Sequence, residues 1–244
     1  MCGRVVQTTP IDELAQILNV GSIDESIGQF MPKRNIAPSA DLVIEETDGA
    51  ENVLTRRRWG LVPHWANDPT IGAKLSNARS ETVWDRPSFR DAVRRRRCIV
   101  PVDGFYEWAP ASPDGPTTAA GRPAKRPHLF KAADGSPLLL AGIAADWHHN
   151  DGGGSLRTVC LLTTSANQVM APIHDRMPVV ISRSMTEVWL HAEPREARDL
   201  LDHLLRPAPD DELVEHEVST AVNDARNESA DLTDPVDTTP NTLW

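Results

Sequence analysis

The sequence predicts an α+β fold with a curved, mostly antiparallel, barrel-like sheet and peripheral helices. Short runs of the β type outnumber the helical patterns, and the two kinds of element do not alternate regularly as they would in a doubly wound fold. The chain has 244 residues, of which 40% are hydrophobic, so it can bury one sizeable core. We expect a single domain over residues 2–222 and an acidic, disordered tail over residues 223–244.

The first predicted element is a helix that anchors the N-terminal region. Thr9, Pro10 and Asp12 are typical of a helix start, and an apolar stripe continues from there to about Asn19. Runs of the β type follow at residues 42–45, 53–59, 98–102, 128–131, 138–143, 158–163 and 179–181. Helical patterns cover residues 81–97, interrupted by Pro87, and residues 185–191 and 195–205.

Composition limits the classes of protein to which the chain can belong. Segments 109–127 and 151–154 are dense in Pro, Ala and Gly, which indicates surface loops. No apolar stretch reaches eighteen residues and the N-terminus lacks a secretory pattern, so we expect a cytoplasmic protein without membrane contact. The formal net charge of −10 argues against nucleic acid, but arginines cluster at residues 56–58 and 94–97. Each cluster is either a solvated face or a DNA contact.

The three cysteines predict different chemistry. Cys98 and Cys160 lie in apolar runs, which is typical of inert core thiols. Cys2 would carry an α-amine and a thiol on adjacent carbons once Met1 is removed. Such an aminothiol traps aldehydes, because the amine forms an imine and the thiolate then closes a five-membered thiazolidine. Alternatively, Cys2 belongs to a frayed terminus. No spacing of cysteines or histidines indicates a metal, and the chemistry needs no cofactor.

Three motifs place polar residues where a core would not require them. LSNARSET contains Asn77 and Arg79 and is either a cap and turn or part of a site. GFYEW places Glu107 between two aromatic residues, where desolvation is expected to raise its pKa, unless it lies exposed on a strand edge. IHDRMPVVI contains His174, which is either a structural histidine or a general acid and base.

Together these motifs closely resemble the SOS response-associated peptidase (SRAP) family. The resemblance covers most of the chain through MCGR, RNIAP, RWGLVPHW, NARSET, RCIVPVDGFYEW, LAGIAADW, LLTTSAN, IHDRMPVVI and VSTAVN, in that order. The family is known for crosslinking abasic sites in single-stranded DNA through its N-terminal cysteine. The resemblance therefore implies a single SRAP domain and a role in DNA repair and the SOS response, nucleoid-associated when bound to DNA.

The resemblance also implies roles for individual residues. Cys2 matches the nucleophile that becomes the thiazolidine. Asn77 would hold the N-terminal amine or the opened sugar, Glu107 would transfer protons, and His174 would act on the sugar oxygen. Asn35, in RNIAP, falls on a family position that supports the site.

The implied partner is single-stranded DNA that contains abasic sites, bound by a monomer. Arg4, Arg79 and Arg176 match positions that face phosphates, and Trp65 matches an aromatic side chain that stacks on a base. Ala66 follows Trp65, where the bacterial pattern has a second tryptophan. The imine intermediate further implies weak abasic-site lyase activity, and the family name implies thiol-dependent peptide cleavage by a hydrolase.

Two other functions remain compatible with the residues. A cysteine peptidase would use Cys2 as nucleophile and His174 as base. A non-covalent reader of modified or single-stranded DNA would bind through Arg4, Arg79 and Trp65 and would not need Cys2. The crosslinking function differs from both, since it requires a free α-amine and a thiol on one residue.

Overall fold

The strands form two sheets in a computed structural model that describes residues 2–49, 51–111, 117, 121, 123–149 and 154–236. The strands are β1 (Val5–Gln7), β2 (Ser22–Ile23), β3 (Lys33–Ile36), β4 (Asp41–Asp48), β5 (Glu51–Trp59), β6 (Asn77–Arg79), β7 (Arg97–Val102), β8 (Gly104–Ala109), β9 (Arg126–Ala132), β10 (Leu138–His148), β11 (Ser155–Ser165), β12 (Arg176–Pro178) and β13 (Leu213–Glu217). The α-helices are α1 (Ile11–Leu18), α2 (Arg90–Arg95), α3 (Thr186–His191) and α4 (Pro194–Leu204). Short 3₁₀ helices cover Glu25–Ile27, Pro69–Lys74, Arg183–Met185, Asp210–Glu212, Thr220–Asn223 and Ala230–Thr233.

The sheet topology confirms the predicted α+β fold with a barrel-like sheet. The first sheet has the order β13-β9-β8-β1-β3, with antiparallel neighbours. The second has the order β12-β11-β10-β7-β4-β5-β2. A parallel pairing of β5 with β11 joins Arg58 to Thr158 and closes the central strands of this sheet into a barrel. Strand β6 adds to β11 in parallel and so sits at the edge of the barrel.

Alternation along the strands separates two apolar cores. On β7, Cys98 and Val100 face the core that also contains Cys2, whereas Ile99 faces the core under the helices. Cys98 and Cys160 are fully buried, as the sequence predicts, and burial raises the pKa of both thiols well above its ordinary value. Both side chains lie within β strands of the second sheet, whereas Cys2 precedes the first strand of the chain.

Most predicted elements are confirmed, and the exceptions have local causes. Helix α1 ends where Asn19 adopts a left-handed conformation with φ of 55°. The helix predicted over residues 81–97 is wrong before α2, because Pro87 cannot donate a helical hydrogen bond and turns occupy residues 80–89. The strand predicted at residues 179–181 is instead β12, immediately before it. The predicted β runs did not include strands β1, β2, β3, β6, β8 and β13, which have at most six residues each.

Residues 223–236, the first part of the predicted loose tail, pack on the first sheet together with residues 218–222. Val218 bridges Pro235, and the 3₁₀ helix Ala230–Thr233 buries Leu232 against Tyr106. We call residues 218–236 the C-terminal strap. Its acidic composition concealed this packing, because a few apolar side chains and main-chain groups make the contacts. Residues 237–244 lie outside the described residues, as do residues 112–116, 118–120 and 122 of the predicted loop 109–127 and residues 151–153 of the predicted loop 151–154.

Candidate functional site

Strands β1 and β8 hold Cys2 and Glu107 on one side of the first sheet. The strands are antiparallel, with Val5 opposite Phe105. Phe105 and Glu107 alternate with Tyr106 along β8, so the first two share a face. Cys2 lies in the same buried cluster as Phe105. The pairing of two short strands thus brings the thiol and the carboxylate together.

The Cys2 thiol is buried, with 1% of the residue exposed. Burial raises the pKa of this thiol well above its ordinary value, and the nearby Glu107 carboxylate raises it further. The main-chain N–H of Arg4 partly opposes this effect by hydrogen bonding to the sulfur. At neutral pH the resting group is therefore a thiol, and it needs a base before it can act as a nucleophile.

Asn77 fixes the main chain of Cys2. Strand β6 places Asn77 opposite Leu161 of β11, and its Nδ2 donates to the carbonyl oxygen of Cys2 at 2.8 Å. Its Oδ1 is buried and accepts no hydrogen bond from the described residues. An unpaired buried acceptor is costly unless a ligand or water binds it. Asn77 therefore offers an acceptor directly beside Cys2.

Glu107 is buried rather than exposed on a strand edge. The residue is 5% exposed, and its neighbour Tyr106 is fully buried. The interaction of its carboxylate with the Cys2 thiol is electrostatic, and a base in this place could receive the thiol proton. Cys2, Asn77 and Glu107 form what we call the reacting pocket.

His174 lies in the turn before β12, with its side chain 27% exposed. Its Nδ1 accepts a hydrogen bond from the main-chain N–H of Arg176 at 2.9 Å, while Asp175 Oδ1 lies 3.0 Å from the same nitrogen. The two contacts require opposite protonation of Nδ1. We assign the main-chain bond, because the Asp175 side chain is 87% exposed and solvated. This assignment puts the proton of the neutral ring on Nε2.

Arg79, Glu81 and Arg176 form a charged cluster at the end of β11, which we call the rim. Arg176 donates to Glu81 Oε1 at 2.5 Å and Oε2 at 2.9 Å, and to the carbonyl oxygen of Thr163 at 2.6 Å. Arg79, opposite Thr163 in the sheet, is exposed. The hydrogen bond from Arg176 lowers the pKa of Glu81, and the charge of Arg79 contributes. The ion pair follows from opposite charges in NARSET and IHDR, although their pairing could not be read from the sequence.

Trp65 lies apart from both groups. Its side chain is 48% exposed and lines a cavity of about 360 Å³ together with Pro87 and Arg95. Its indole N–H donates to the carbonyl oxygen of Pro87 at 3.4 Å, which is a weak contact. A single exposed aromatic side chain is common at protein surfaces, so the base-stacking contact expected of Trp65 stays a prediction.

Arg4 and Asn35 lie on the opposite face of the first sheet from Glu107. Arg4 Nη1 donates to Asn35 Oδ1 at 2.5 Å and to the carbonyl oxygen of Val222 at 2.7 Å. Its guanidinium lies 5.6 Å from the ring centroid of Trp108. The phosphate contact expected of Arg4 stays a prediction, and its guanidinium already has partners in the protein.

Each arginine run contains one buried residue that makes structural contacts, whereas Arg58, Arg94, Arg95 and Arg96 are exposed. Arg57 is 2% exposed and pairs with Glu46 at 2.7 Å and Asp146 at 2.5 Å. Arg97 is also buried, and it donates to the carbonyl oxygens of Trp189 and Ala192, both at 2.5 Å. Across the described ranges, no cluster of three His, Cys, Asp or Glu residues could hold a metal, and no helix is long and apolar enough to cross a membrane.

The fold and the reacting pocket define a single-domain α+β protein with a buried N-terminal-region thiol between an amide and a carboxylate. The sequence matches the model of the SOS response associated peptidase (SRAP) family over residues 1–225, and the chain belongs to this family. The chain is 35% identical over 232 residues to abasic site processing protein YoqW of Bacillus subtilis, covering 95% of this chain and 98% of that protein.

More distant relatives share the domain. Abasic site processing protein HMCES of Gallus gallus is 31% identical over 231 residues, covering 86% of this chain and 68% of that protein. Abasic site processing protein YedK of Escherichia coli is 27% identical, covering 97% of this chain and all of that protein. A crystal structure of a Bacteroides thetaiotaomicron protein superimposes with a TM-score of 0.83 at 21% identity, covering 96% of this chain and all of that one. That likeness establishes a shared fold.

Proposed function

We propose that the protein acts on abasic sites in single-stranded DNA and, after removal of Met1, forms a covalent thiazolidine crosslink through Cys2. The relatives YoqW, HMCES and YedK all carry the name abasic site processing protein, which supports the substrate. The observation that carries the chemistry is the buried Cys2, whose carbonyl oxygen accepts a hydrogen bond from Asn77 and whose thiol faces the charge of Glu107. The crosslink would shield the lesion during DNA repair.

The proposed reaction joins one aldehyde carbon to two atoms of Cys2. An abasic sugar opens to an aldehyde at C1′, and the α-amine of Cys2 adds to that carbon to give a carbinolamine. Loss of one water forms an imine. The sulfur then bonds to the imine carbon while the thiol proton passes to the nitrogen, which closes the ring. The second bond forms quickly because both reacting atoms belong to one residue.

The pocket residues Glu107 and Asn77, and His174 outside the pocket, each have a task in these steps. Glu107 accepts the proton of the thiol and returns a proton to the departing hydroxyl or the ring nitrogen, since the thiol does not ionise unaided. Asn77 holds the Cys2 carbonyl, and its free Oδ1 receives a hydrogen bond from the amine or from a sugar hydroxyl. His174 offers Nε2–H to the sugar ring oxygen as the ring opens.

DNA binding would use exposed groups. Arg79 is an exposed cation suited to a phosphate, and Trp65 presents a face on which a base can stack. Arg176 either keeps Glu81 as its partner or exchanges it for a phosphate. An imine that escapes ring closure would allow β-elimination and strand cleavage, so lyase activity would be a side reaction.

The test uses the protein lacking Met1 and a single-stranded oligonucleotide with one abasic site. A denaturing gel and intact mass spectrometry should show a species with the summed mass of protein and DNA less one water, and none with Cys2→Ala. A protein that shifts the oligonucleotide in a native gel without any covalent species would contradict the proposal and favour non-covalent reading. Cleavage of peptides without crosslinking would favour the cysteine peptidase suggested by the family name.

A further inference from the structure

The C-terminal strap covers the back of the strands that carry the reacting pocket. Glu107 faces the pocket, so its neighbours Tyr106 and Trp108 face the strap. The buried Tyr106 hydroxyl donates to the carbonyl oxygen of Arg34 at 3.0 Å and is 3.4 Å from that of Leu232. Trp108 Nε1 donates to Asn223 Oδ1 at 2.7 Å. Contacts to the strap are therefore one residue away from Glu107 on both sides.

Asn35 contacts the strap at three main-chain carbonyl oxygens. It is 1% exposed, and its Nδ2 lies 3.2 Å from the carbonyl oxygen of Val222 and 2.9 Å from those of Asp224 and Asn227. An amide NH₂ group has two hydrogens, so the three oxygens share them. A buried side chain that donates hydrogen bonds to three carbonyl oxygens of one segment fixes the conformation of that segment.

Arg4 connects this amide to Cys2. The guanidinium binds both Asn35 Oδ1 and the carbonyl oxygen of Val222, while the main-chain N–H of Arg4 reaches the Cys2 sulfur. The main-chain carbonyl of Arg4 also accepts a hydrogen bond from the N–H of Tyr106 at 2.9 Å. One residue thus joins the strap, strand β8 and the nucleophile.

We propose that Asn35 is a positioning residue, which anchors the C-terminal strap through Arg4 to the strands that hold Cys2 and Glu107. This inference rests on the proposed crosslinking function. Arg4 is then part of the anchor rather than a phosphate contact. The family model ends at residue 225. Two of the strap contacts lie beyond that region: the Asn227 carbonyl oxygen that binds Asn35, and the buried side chain of Leu232.

The first test separates the anchor from the rest of the strap. Asn35→Asp keeps an oxygen for Arg4 but turns a carboxylate toward three carbonyl oxygens, which should release the strap. We expect the crosslinking rate at saturating DNA to fall at least about tenfold. The DNA concentration that gives half of the maximal rate should change little. Asp231→Asn is the matched control, because it changes the charge of an exposed strap residue and leaves the carbonyls that Asn35 binds. It should crosslink at the rate of the unchanged protein.

The pH profile distinguishes positioning from a loss of folded protein. A displaced Arg4 main chain no longer lowers the thiol pKa, so the rate of folded Asn35→Asp should need a higher pH to reach half its maximum. A smaller amount of folded protein would reduce the amplitude without moving the profile. A folded Asn35→Asp variant that crosslinks within twofold of the unchanged protein would overturn the positioning role and leave the crosslinking function intact.

The role of Arg4 is tested by salt. Each phosphate contact to single-stranded DNA contributes about 0.7 to the slope of log affinity against log salt. We expect Arg4→Met to leave this slope unchanged while slowing the saturating rate, and Arg79→Met to lower the slope. A fall in the slope with Arg4→Met and an unchanged saturating rate would overturn the anchor.

Truncation and hydrogen exchange keep the inference testable if Asn35→Asp does not fold. Ending the chain after Val236 should preserve the rate, whereas ending it after Val222 should slow it at least about tenfold. Hydrogen exchange is measured in the unaltered protein. The Val236 N–H is bonded to the Glu217 carbonyl oxygen, and the Tyr106 N–H to that of Arg4. If the strap is anchored, both amides should become exposed to solvent in the same opening event. Protection that agrees within about threefold supports the anchor. A strap amide that exchanges much faster than Tyr106 contradicts it.

Discussion

The reacting pocket and the rim are built in opposite ways. Cys2 and Glu107 are almost fully buried, and burial raises the pKa of the Cys2 thiol. At the rim, Arg79 is exposed, and a hydrogen bond from Arg176 lowers the pKa of Glu81. Burial strengthens electrostatic effects, whereas water and salt screen exposed charges. The pocket should therefore govern the rate at saturating DNA, and the rim should govern affinity and its salt dependence.

The largest expected effect comes from separating the amine from the thiol. One alanine placed ahead of Cys2 leaves the thiol in the chain but converts its α-amine to an amide. We expect crosslinking to fall at least about 10³-fold, because the two-step closure on one residue is lost. Single-turnover gels at saturating DNA measure the rate, and half-saturation should stay within about threefold. Crosslinking that survives the extra residue would break the proposed link between pocket and chemistry.

Glu107→Gln should have the next largest effect. It removes the base without changing the shape of the side chain, so the saturating rate should fall about 10²-fold. It also removes a charge that raises the pKa of the Cys2 thiol, so the remaining activity should reach half its maximum at lower pH. The measurement is a pH–rate profile beside Glu81→Gln, which should keep the profile of the unchanged protein. An unshifted profile with a rate within threefold would contradict the role of Glu107.

Rim and aromatic substitutions should weaken binding about tenfold. Arg79→Met should raise the DNA concentration needed for half-maximal binding and lower the slope of log affinity against log salt by about 0.7. Trp65→Ala should raise the same concentration without changing the slope. Saturating rates should stay within twofold for both, because neither residue lies in the pocket. Fluorescence anisotropy over a salt series measures both quantities. A fall in the saturating rate with normal affinity would erase the distinction between pocket and rim.

A buried carboxylate outside the reacting pocket, Glu45, provides the smallest test. Burial and the charge of Glu187 raise the pKa of Glu45 from 4.5 to about 7, opposed by a hydrogen bond from Asn52. His191 also contacts Asn52 and Glu187 in this cluster. Between these pH values the folded state keeps a proton that the unfolded chain has lost. The stability due to Glu45 is thus complete below about pH 4.5 and is lost as the pH rises to about 7.

Glu45→Gln should remove that dependence and leave crosslinking unchanged. From below pH 4.5 to above pH 7 we expect the variant to gain about 3 kcal/mol of stability relative to the unchanged protein, since the pKa rises from 4.5 to about 7 and each unit corresponds to 1.36 kcal/mol. Urea unfolding at several pH values measures the difference, and the gel measures the crosslink. A difference in the free energy of unfolding between the two proteins that is the same at every pH would show that Glu45 does not titrate in this way.

Local patterns predicted the barrel strands and the pocket residues, but not their connections. Apolar runs such as residues 98–102 identify buried strands, and GFYEW places a carboxylate among aromatic side chains. The partners of Arg176 and Arg4 depend on contacts across 95 and 218 positions, which no local pattern carries. The strap was missed for the same reason, because its carbonyls bind Asn35 from the far end of the chain.

The most direct test of the account counts free thiols in the crosslinked protein. An imine and a thiazolidine have the same mass, but only the thiazolidine occupies the sulfur of Cys2. The denatured adduct would be alkylated with iodoacetamide and analysed by mass spectrometry. The chain has three cysteines, and the account predicts that two, Cys98 and Cys160, are alkylated in the adduct and all three in the free protein. Alkylation of all three in the adduct would contradict attachment through the Cys2 aminothiol.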